Sequence, residues 1–222
     1  MRTGRTTPAQ QHALETLSSR WLIPYQATLL NWSEAFELKL NPPEQNPRHI
    51  LEIGFGMGET TATIAAARPQ DQFLALEVHP PGVGALLKRI NDIGLSNLRL
   101  MRHDAVEVLE YMIGSNTLDG IHIYFPDPWH KKRHHKRRLI QAPFVKLLVD
   151  RLRVGGYLHL ATDWQDYAEQ MVAVLNAEKT LSNSSTNNTY VTRPAYRPIT
   201  KFENRGLHLG HGVWDLLYQK VA

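Results

Sequence analysis

No cysteine occurs in the 222 residues. That removes disulfides, thiolate nucleophiles and cysteine-based zinc sites together, and leaves carboxylates, histidines or a bound cofactor to carry any chemistry. No apolar run approaches the roughly 18–20 residues of a membrane span, and the opening MRTGRTTPAQQ lacks the apolar centre of a signal peptide. A soluble, cytoplasmic protein is expected. Net charge is also scarce, since 25 Lys and Arg against 21 Asp and Glu give +4. Six of those bases fall within residues 130–138, so the rest of the chain carries −2. The basic character is a patch, which is the footprint of a polyanion-binding surface or, in the bland reading, a solvated loop.

What is present is a rhythm. Thr7-Pro8 before AQQHALETL reads as an N-cap with proline in the first turn of an amphipathic helix. The proline-rich NPPEQNP at 41–47 reads as a linker, so 1–46 is taken as an N-terminal arm and helix and 47–222 as the main domain. Apolar strands are expected at about 48–53, 72–78, 97–101, 118–124 and 156–162. They alternate with helices at about 58–68, 82–93, 105–112, 139–152 and 165–176. This predicts an α/β fold with a doubly wound, mostly parallel sheet of seven strands, the last two being YVTRP and GVWDLLYQKV, antiparallel to the others. The polar stretch 178–189 reads as a flexible excursion.

The first strand runs into LEIGFGMGET, where Glu52 precedes Gly54, Gly56 and Gly58. Glycines there let a ligand approach the backbone at a helix N-terminus. The spacing is G-x-G-x-G rather than the longer dinucleotide pattern, and further acids, Glu77 and Asp104, end the second and third strands. A carboxylate at the end of the second strand can accept from ribose hydroxyls, and one after the third from an adenine amino group. Acids without a Walker lysine suit a cationic nucleoside better than a nucleotide. S-adenosylmethionine is such a ligand.

Between Phe125 and Arg138 the chain reads FPDPWHKKRHHKRR: Asp127 between two prolines, then an aromatic, then the basic run. Trp129 beside it either stacks on a base or packs. Asp163 in ATDWQDY either binds a ligand or caps the helix that follows, and Phe202 is either core or site. His130 and His134, and His208 and His211, have spacings used by metal ligands. The flanking cations and missing cysteines argue against a metal there.

The set LEIGFGMG, ALEVHPPGVG, HDAVEVL, YFPDPWHKKRHHKRR, ATDW and RPITKFENRGLHLGHGVWDL strongly resembles the bacterial tRNA (guanine-N7)-methyltransferases, the TrmB family, over nearly the whole chain. That resemblance implies a class I, Rossmann-like methyltransferase that moves a methyl from S-adenosylmethionine to N7 of a guanine in the tRNA variable loop, position 46. It implies cofactor contacts at Glu52, Gly54, Gly56, Gly58, Glu77 and Asp104. Asp127 is the active-site acid and is counted with the cofactor residues as well. Lys131, Asp163, Thr200, Lys201, Phe202 and Glu203 are implied for the substrate, and Arg133, His134, His135, Lys136, Arg137 and Arg138 for RNA. The partner is then tRNA, no membrane is involved, and a monomer is favoured over a dimer. Rival readings are a methyltransferase on another RNA or on protein, a nicotinamide oxidoreductase, and an RNA-binding module without catalysis.

Overall fold

The computed structural model describes residues 5–36, 47–200, 203 and 212–222. The chain divides into two compact units, Met1–Gly114 and Ser115–Ala222. Of the seven strands, three belong to the first unit in the order β3-β2-β1 and four to the second in the order β4-β5-β7-β6. No helix among the described residues is long and apolar enough to cross a membrane.

In the first unit, β1 (His49–Ile53), β2 (Gln72–Leu76) and β3 (Leu98–Met101) pair in parallel, with Ile50 opposite Phe73 and Leu74 opposite Arg99. Every residue of β2 is buried, as expected of a parallel strand whose two faces are both covered. Helices α3 (Glu59–Ala67), α4 (Pro80–Ile93) and α5 (Ala105–Tyr111) follow the strands. The expected N-terminal helix is α1 (Pro8–Trp21), and a short α2 (Trp32–Ala35) follows it. Thr7 Oγ1 accepts from the Gln10 amide at 3.3 Å while Gln10 Oε1 accepts from the Thr7 amide at 2.9 Å, a reciprocal capping box. Beyond α1 the chain bridges to the β3 edge, the Ile23 amide donating to Leu100 O at 2.8 Å.

Two glycines of α4 set its packing. A Cβ on Gly84 would come within 2.5 Å of Gln10 O in α1, and one on Gly82 within 2.2 Å of Gly56 O in the glycine loop. Backbone meets backbone at both points, so only glycine fits.

In the second unit, β4 (Leu118–Tyr124) pairs in parallel with β5 (Leu152–Thr162), and β7 (Trp214–Lys220) runs antiparallel to β5. Helices α6 (Ala142–Arg151) and α7 (Gln165–Asn176) follow β4 and β5. The sixth strand is not where the sequence suggests. It is Leu181–Asn183, inside the polar stretch expected to be flexible, and it pairs antiparallel with β7. Of YVTRP, only Val191 makes an isolated bridge, to Asp215. Several polar side chains of 178–189 are bonded within the protein. Glu178 Oε1 accepts from Thr180 Oγ1 at 2.7 Å, and Asn183 Nδ2 donates to Tyr218 Oη at 2.8 Å and to Thr189 O at 3.1 Å. Leu181 is buried and ties the segment down.

Gly82→Ala is expected to cost about 1–3 kcal/mol, the scale of overpacking a tight contact, because the clash is with the Gly56 carbonyl. Denaturant unfolding measures it; a midpoint equal to wild type would mean that α4 can shift off the loop freely.

Candidate active site

The first unit carries the glycine loop. Gly54, Gly56 and Gly58 all have φ between 58 and 77°, a region costly for any other residue. Among the described residues, nothing lies within 4 Å of where a Cβ on Gly54 or Gly56 would stand. Glu77 holds its shape. One oxygen accepts from the Gly56 amide at 2.9 Å, and the other from the Val78 and His79 amides at 2.8 and 3.1 Å. The acid expected to meet a ribose is therefore also a clasp that ties the loop after β1 to the end of β2.

Glu52 is buried, and Thr61 Oγ1 donates to one of its oxygens at 3.0 Å. Its other oxygen is buried with no hydrogen-bond partner among the described residues. Burial raises the carboxyl from 4.5 to about 7 against the opposing Thr61 bond. An orphaned acceptor two residues ahead of the glycine loop fits a ligand that brings a cation. Asp104 is exposed and caps α5, accepting from the Val106 amide at 2.8 Å. Met57 and Val78, next in sequence after Gly56 and Glu77, are exposed apolar residues that the sequence reading passes over. Their only signal was position beside the motif.

The second unit carries the remaining candidates. Asp127 is exposed at the tip of a turn from Phe125 to Trp129. Pro126 and Pro128 fix their own φ angles, and Phe125 and Trp129 sit at φ 51 and 47°. Non-glycine residues hold that conformation only where the surroundings impose it. Here the Phe125 amide donates to Ala161 O at 2.7 Å, and Arg138 Nε donates to Pro128 O at 2.8 Å. The Arg197 guanidinium lies 5.6 Å from the Phe125 ring centre and the Arg137 guanidinium 5.1 Å from that of Trp129. Burial pushes the Tyr167 hydroxyl up to about 12, and the nearby Asp127 charge adds to the rise.

The basic run folds as a 3-10 turn, Lys132–Arg137. Lys131, Arg133, Lys136 and Arg137 are exposed, and His134 and His135 half-buried. Arg138 differs from its neighbours: it is 3% exposed. It donates to Pro128 O, to Gln170 Oε1 at 2.7 Å and to Asp166, and it covers the Tyr167 ring at 4.8 Å. The expectation that Arg138 touches RNA is corrected on this ground, since its donors are spent inside the protein.

Asp163 is exposed, and α7 is capped at Trp164 with no side-chain cap bond, so the capping alternative for Asp163 is set aside. It lines an open cavity of about 610 Å³ with Trp164, Asp166, Glu169 and Trp214. Trp164 packs edge-on against His130 at 4.1 Å between ring centres. Glu203 is buried, and its oxygens accept from Arg197 Nη1 and Nη2 at 2.7 and 2.8 Å. Thr200 closes the segment, its Oγ1 accepting from the Glu203 amide at 3.0 Å. An acid expected to read a base edge is thus bound to a buried arginine. Lys201 and Phe202, like His208 and His211, lie outside the described residues.

Beneath these residues is a charged cluster. Arg197, wholly buried, donates through Nε and Nη2 to the two oxygens of Asp215 at 2.6 and 2.8 Å. His159 Nε2 lies 2.9 Å from Asp215 Oδ1, and its Nδ1 lies 2.8 Å from Tyr196 Oη and 3.0 Å from Tyr124 Oη. Burial holds His159 below its ordinary value despite the Asp215 bond. The neutral ring then donates to Asp215 and accepts from tyrosine hydroxyls. Burial pushes Asp215 up, but the bonds from His159 and Arg197 outweigh it and leave the carboxyl below its usual range.

A family model described as "Putative methyltransferase" matches residues 46–216. A tRNA (guanine-N(7)-)-methyltransferase of Cupriavidus metallidurans is 57% identical over 99% of this chain and 81% of its own length. One of Burkholderia vietnamiensis is 58% identical over all of this chain and 83% of its own. Among solved structures, the 16S rRNA methyltransferase KamB superposes with a TM-score of 0.57 at 15% identity, covering 80% of this chain and 90% of its own. An rRNA methylase from Streptococcus thermophilus gives 0.53 at 14%, covering 80% and 89%. At those identities the structures show the fold alone, the doubly wound seven-stranded fold of class I methyltransferases.

Glu52 also makes stability depend on pH. From its ordinary 4.5 up to about 7, the unfolded chain loses this proton before the folded one does, so stability falls as pH rises through that window. Glu52→Gln, which has no charge to bury, should match wild type near pH 4. At about pH 8 it should be more stable by about 3 kcal/mol. Ligand-free melting curves across pH give the difference, and a gap independent of pH would remove the buried charge as its cause.

Proposed function

The chain belongs to the tRNA (guanine-N(7)-)-methyltransferase family, and from that premise we propose that it methylates N7 of a guanine in tRNA, at position 46 of the variable loop, with S-adenosylmethionine as the methyl donor. The observation that carries this reading is identity of 57% held along 99% of the chain to an enzyme of that name. With it we propose the division read from the sequence, 47–222 as the methyltransferase domain and 1–46 as an arm.

The cofactor would be held by Glu52, Gly54, Gly56, Gly58, Glu77 and Asp104, and it supplies an electrophilic methyl on a sulfonium. Glu52 offers an unpartnered buried oxygen to a cationic group. Glu77 keeps the loop open to the ligand, and with three of its about four lone-pair sites taken by backbone amides, the remaining one on Oε2 serves the ribose. On the substrate side, Asp163 supplies an acceptor for the ring donors on the Watson–Crick edge of guanine, which an adenine lacks. Lys131, Thr200, Lys201, Phe202 and Glu203 complete the proposed substrate set.

The N7 lone pair of guanine is free at neutral pH. It forms the new N–CH3 bond while the S–CH3 bond breaks and its electron pair stays on sulfur, leaving S-adenosylhomocysteine and a cationic 7-methylguanine. No proton leaves the nucleophile, so no general base is required and alignment is the main task. Asp127 aligns the purine and faces the positive charge that develops on it.

Nucleoside mass spectrometry of tRNA incubated with protein and cofactor tests the reading directly, and absence of new 7-methylguanosine would overturn it. Asp127→Asn keeps the shape and removes the charge. Single-turnover methylation should fall by about 10²–10³-fold with cofactor and tRNA affinities little changed; near-normal turnover would take Asp127 out of the mechanism.

The exposed cations make a separate prediction. Neutralising Arg133, Lys136 and Arg137 should reduce the salt slope of tRNA binding by about 0.7–0.9 for each lost phosphate contact and leave the melting temperature in place. Arg138→Ala should do the reverse, costing about 1–3 kcal/mol of stability through its lost internal bonds. Equal effects from all four would mean that their differing burial does not matter.

A further inference from the structure

On the reading that Asp127 faces the target purine, we infer that Arg197 is a positioning residue, which locks the Asp127 turn and Glu203 into one fixed arrangement. The sequence reading singles out Thr200 to Glu203 and passes over Arg197, three residues earlier. Four N–H groups of this guanidinium are spent on two carboxylates, Asp215 of β7 and Glu203 of the substrate segment. Its flat face lies 5.6 Å from the Phe125 ring centre and 6.0 Å from that of Tyr124, the residues that lead into Pro126-Asp127. Asp215 is fixed in turn by His159, which Tyr124 and Tyr196 hold from its other nitrogen.

Stability alone does not account for this construction. A buried ion cluster is commonly no better than an apolar one of the same volume, and two carboxylates here share one guanidinium. What the cluster offers over an apolar filling is geometry, because a planar fork bonded on two edges fixes both partners in angle as well as distance. Phe125 needs that fixing, since its φ of 51° persists only if the surroundings over-determine it. Glu203 then serves the substrate through Arg197: its carboxylate, which also accepts from the Thr200 amide at 3.2 Å, sets where Thr200 stands, rather than reading the base.

The test is a double-mutant cycle in single-turnover methylation. Arg197→Lys keeps the charge and loses the fork, and it should slow methylation about 10²-fold, the scale of a misplaced reacting group. Affinities for tRNA and for S-adenosylhomocysteine should stay within about threefold. In the Asp127→Asn background the same change should cost almost nothing, since there is no charge left to place; multiplicative effects would overturn the inference. Glu203→Gln, which cuts one arm of the clamp and leaves the Asp215 pair, provides the same cycle if the lysine variant does not fold. A Glu203→Gln protein that instead binds tRNA many-fold more weakly, or methylates adenine-substituted tRNA, would show Glu203 on the base and sink the clamp. Hydrogen exchange over 124–130 reads the positioning without any substrate, and it should accelerate at least tenfold in either variant while exchange in β1–β3 is unchanged. If wild type forms no 7-methylguanosine yet the exchange result holds, the functional reading fails and the clamp survives; unchanged exchange overturns the clamp whatever the substrate.

Discussion

The guanidinium of Arg197, enclosed with no solvent exposure and bonded edge-on to both Asp215 and Glu203, is the constraint around which the second unit is arranged. A charge in that position cannot be left unpaired, because removing one partner of a buried pair costs several kilocalories per mole. Its partners must therefore come to it. Asp215 is brought by β7, registered against β5 so that it stands opposite Ala161, and Ala161 O is the acceptor for the Phe125 amide. Sheet register, buried charge and the turn bearing Asp127 are thus one connected arrangement. Arg138 does the same from the other end of the turn, holding the Pro128 carbonyl while Asp166 balances its charge. Two arginines fix an aspartate that neither of them bonds.

The first unit fixes its glycine loop with a carboxylate instead of a guanidinium. Its loop is held by Glu77, whose two oxygens take three backbone amides. A carboxylate bonded this way is pre-organised, and a ligand meeting it has no loop to order. Gly82 completes the arrangement by letting α4 press against the Gly56 carbonyl. Glu52 keeps one buried oxygen without a hydrogen-bond partner among the described residues, and its raised carboxyl is the cost of burying that acceptor.

Much of this was legible in the sequence. The five alternating strands and helices lie within a few residues of their expected places, since period-two and period-3.6 patterns record which faces are buried. β5 runs longer, starting at Leu152, because Gly155 at φ 81° and a register shift opposite Leu118 and Gly120 let the pairing continue through an irregular stretch. Periodicity does not record how polar side chains satisfy each other. That is why β6 was hidden in a low-complexity segment, where Leu181 alone supplies apolar burial. Nor does it reveal which member of a charged run turns inward. Arg138 looks like Arg137 in the sequence and differs only because Asp166, Gln170 and Pro128 O, two of them some thirty residues away, converge on it. Glu203 was identified as a site residue by its motif, while the arginine that binds it, the first residue of the same RPITKFE stretch, was given no role.

Charge bookkeeping ties the proposed reaction to this division of roles. Methyl transfer from a sulfonium to guanine neither creates nor destroys net charge; it moves one positive charge from sulfur to the purine. The proposed chemistry therefore calls for acceptors near the purine as its charge develops and for no proton acceptor. Cations near the purine would oppose the transfer, yet a polyanionic RNA has to be attracted by cations. The basic run resolves this by separating the two demands within a few residues. Arg133, Lys136 and Arg137 present their charge to solvent, where screening limits its reach to about a Debye length, roughly 8–10 Å at moderate salt. The member that must sit against the Asp127 turn, Arg138, is balanced by Asp166, whose own carboxyl that bond holds below its usual range. On the proposed reading, attraction for the RNA falls to the solvent-facing bases, while the buried arginine of the same short segment is neutralised by its own acid.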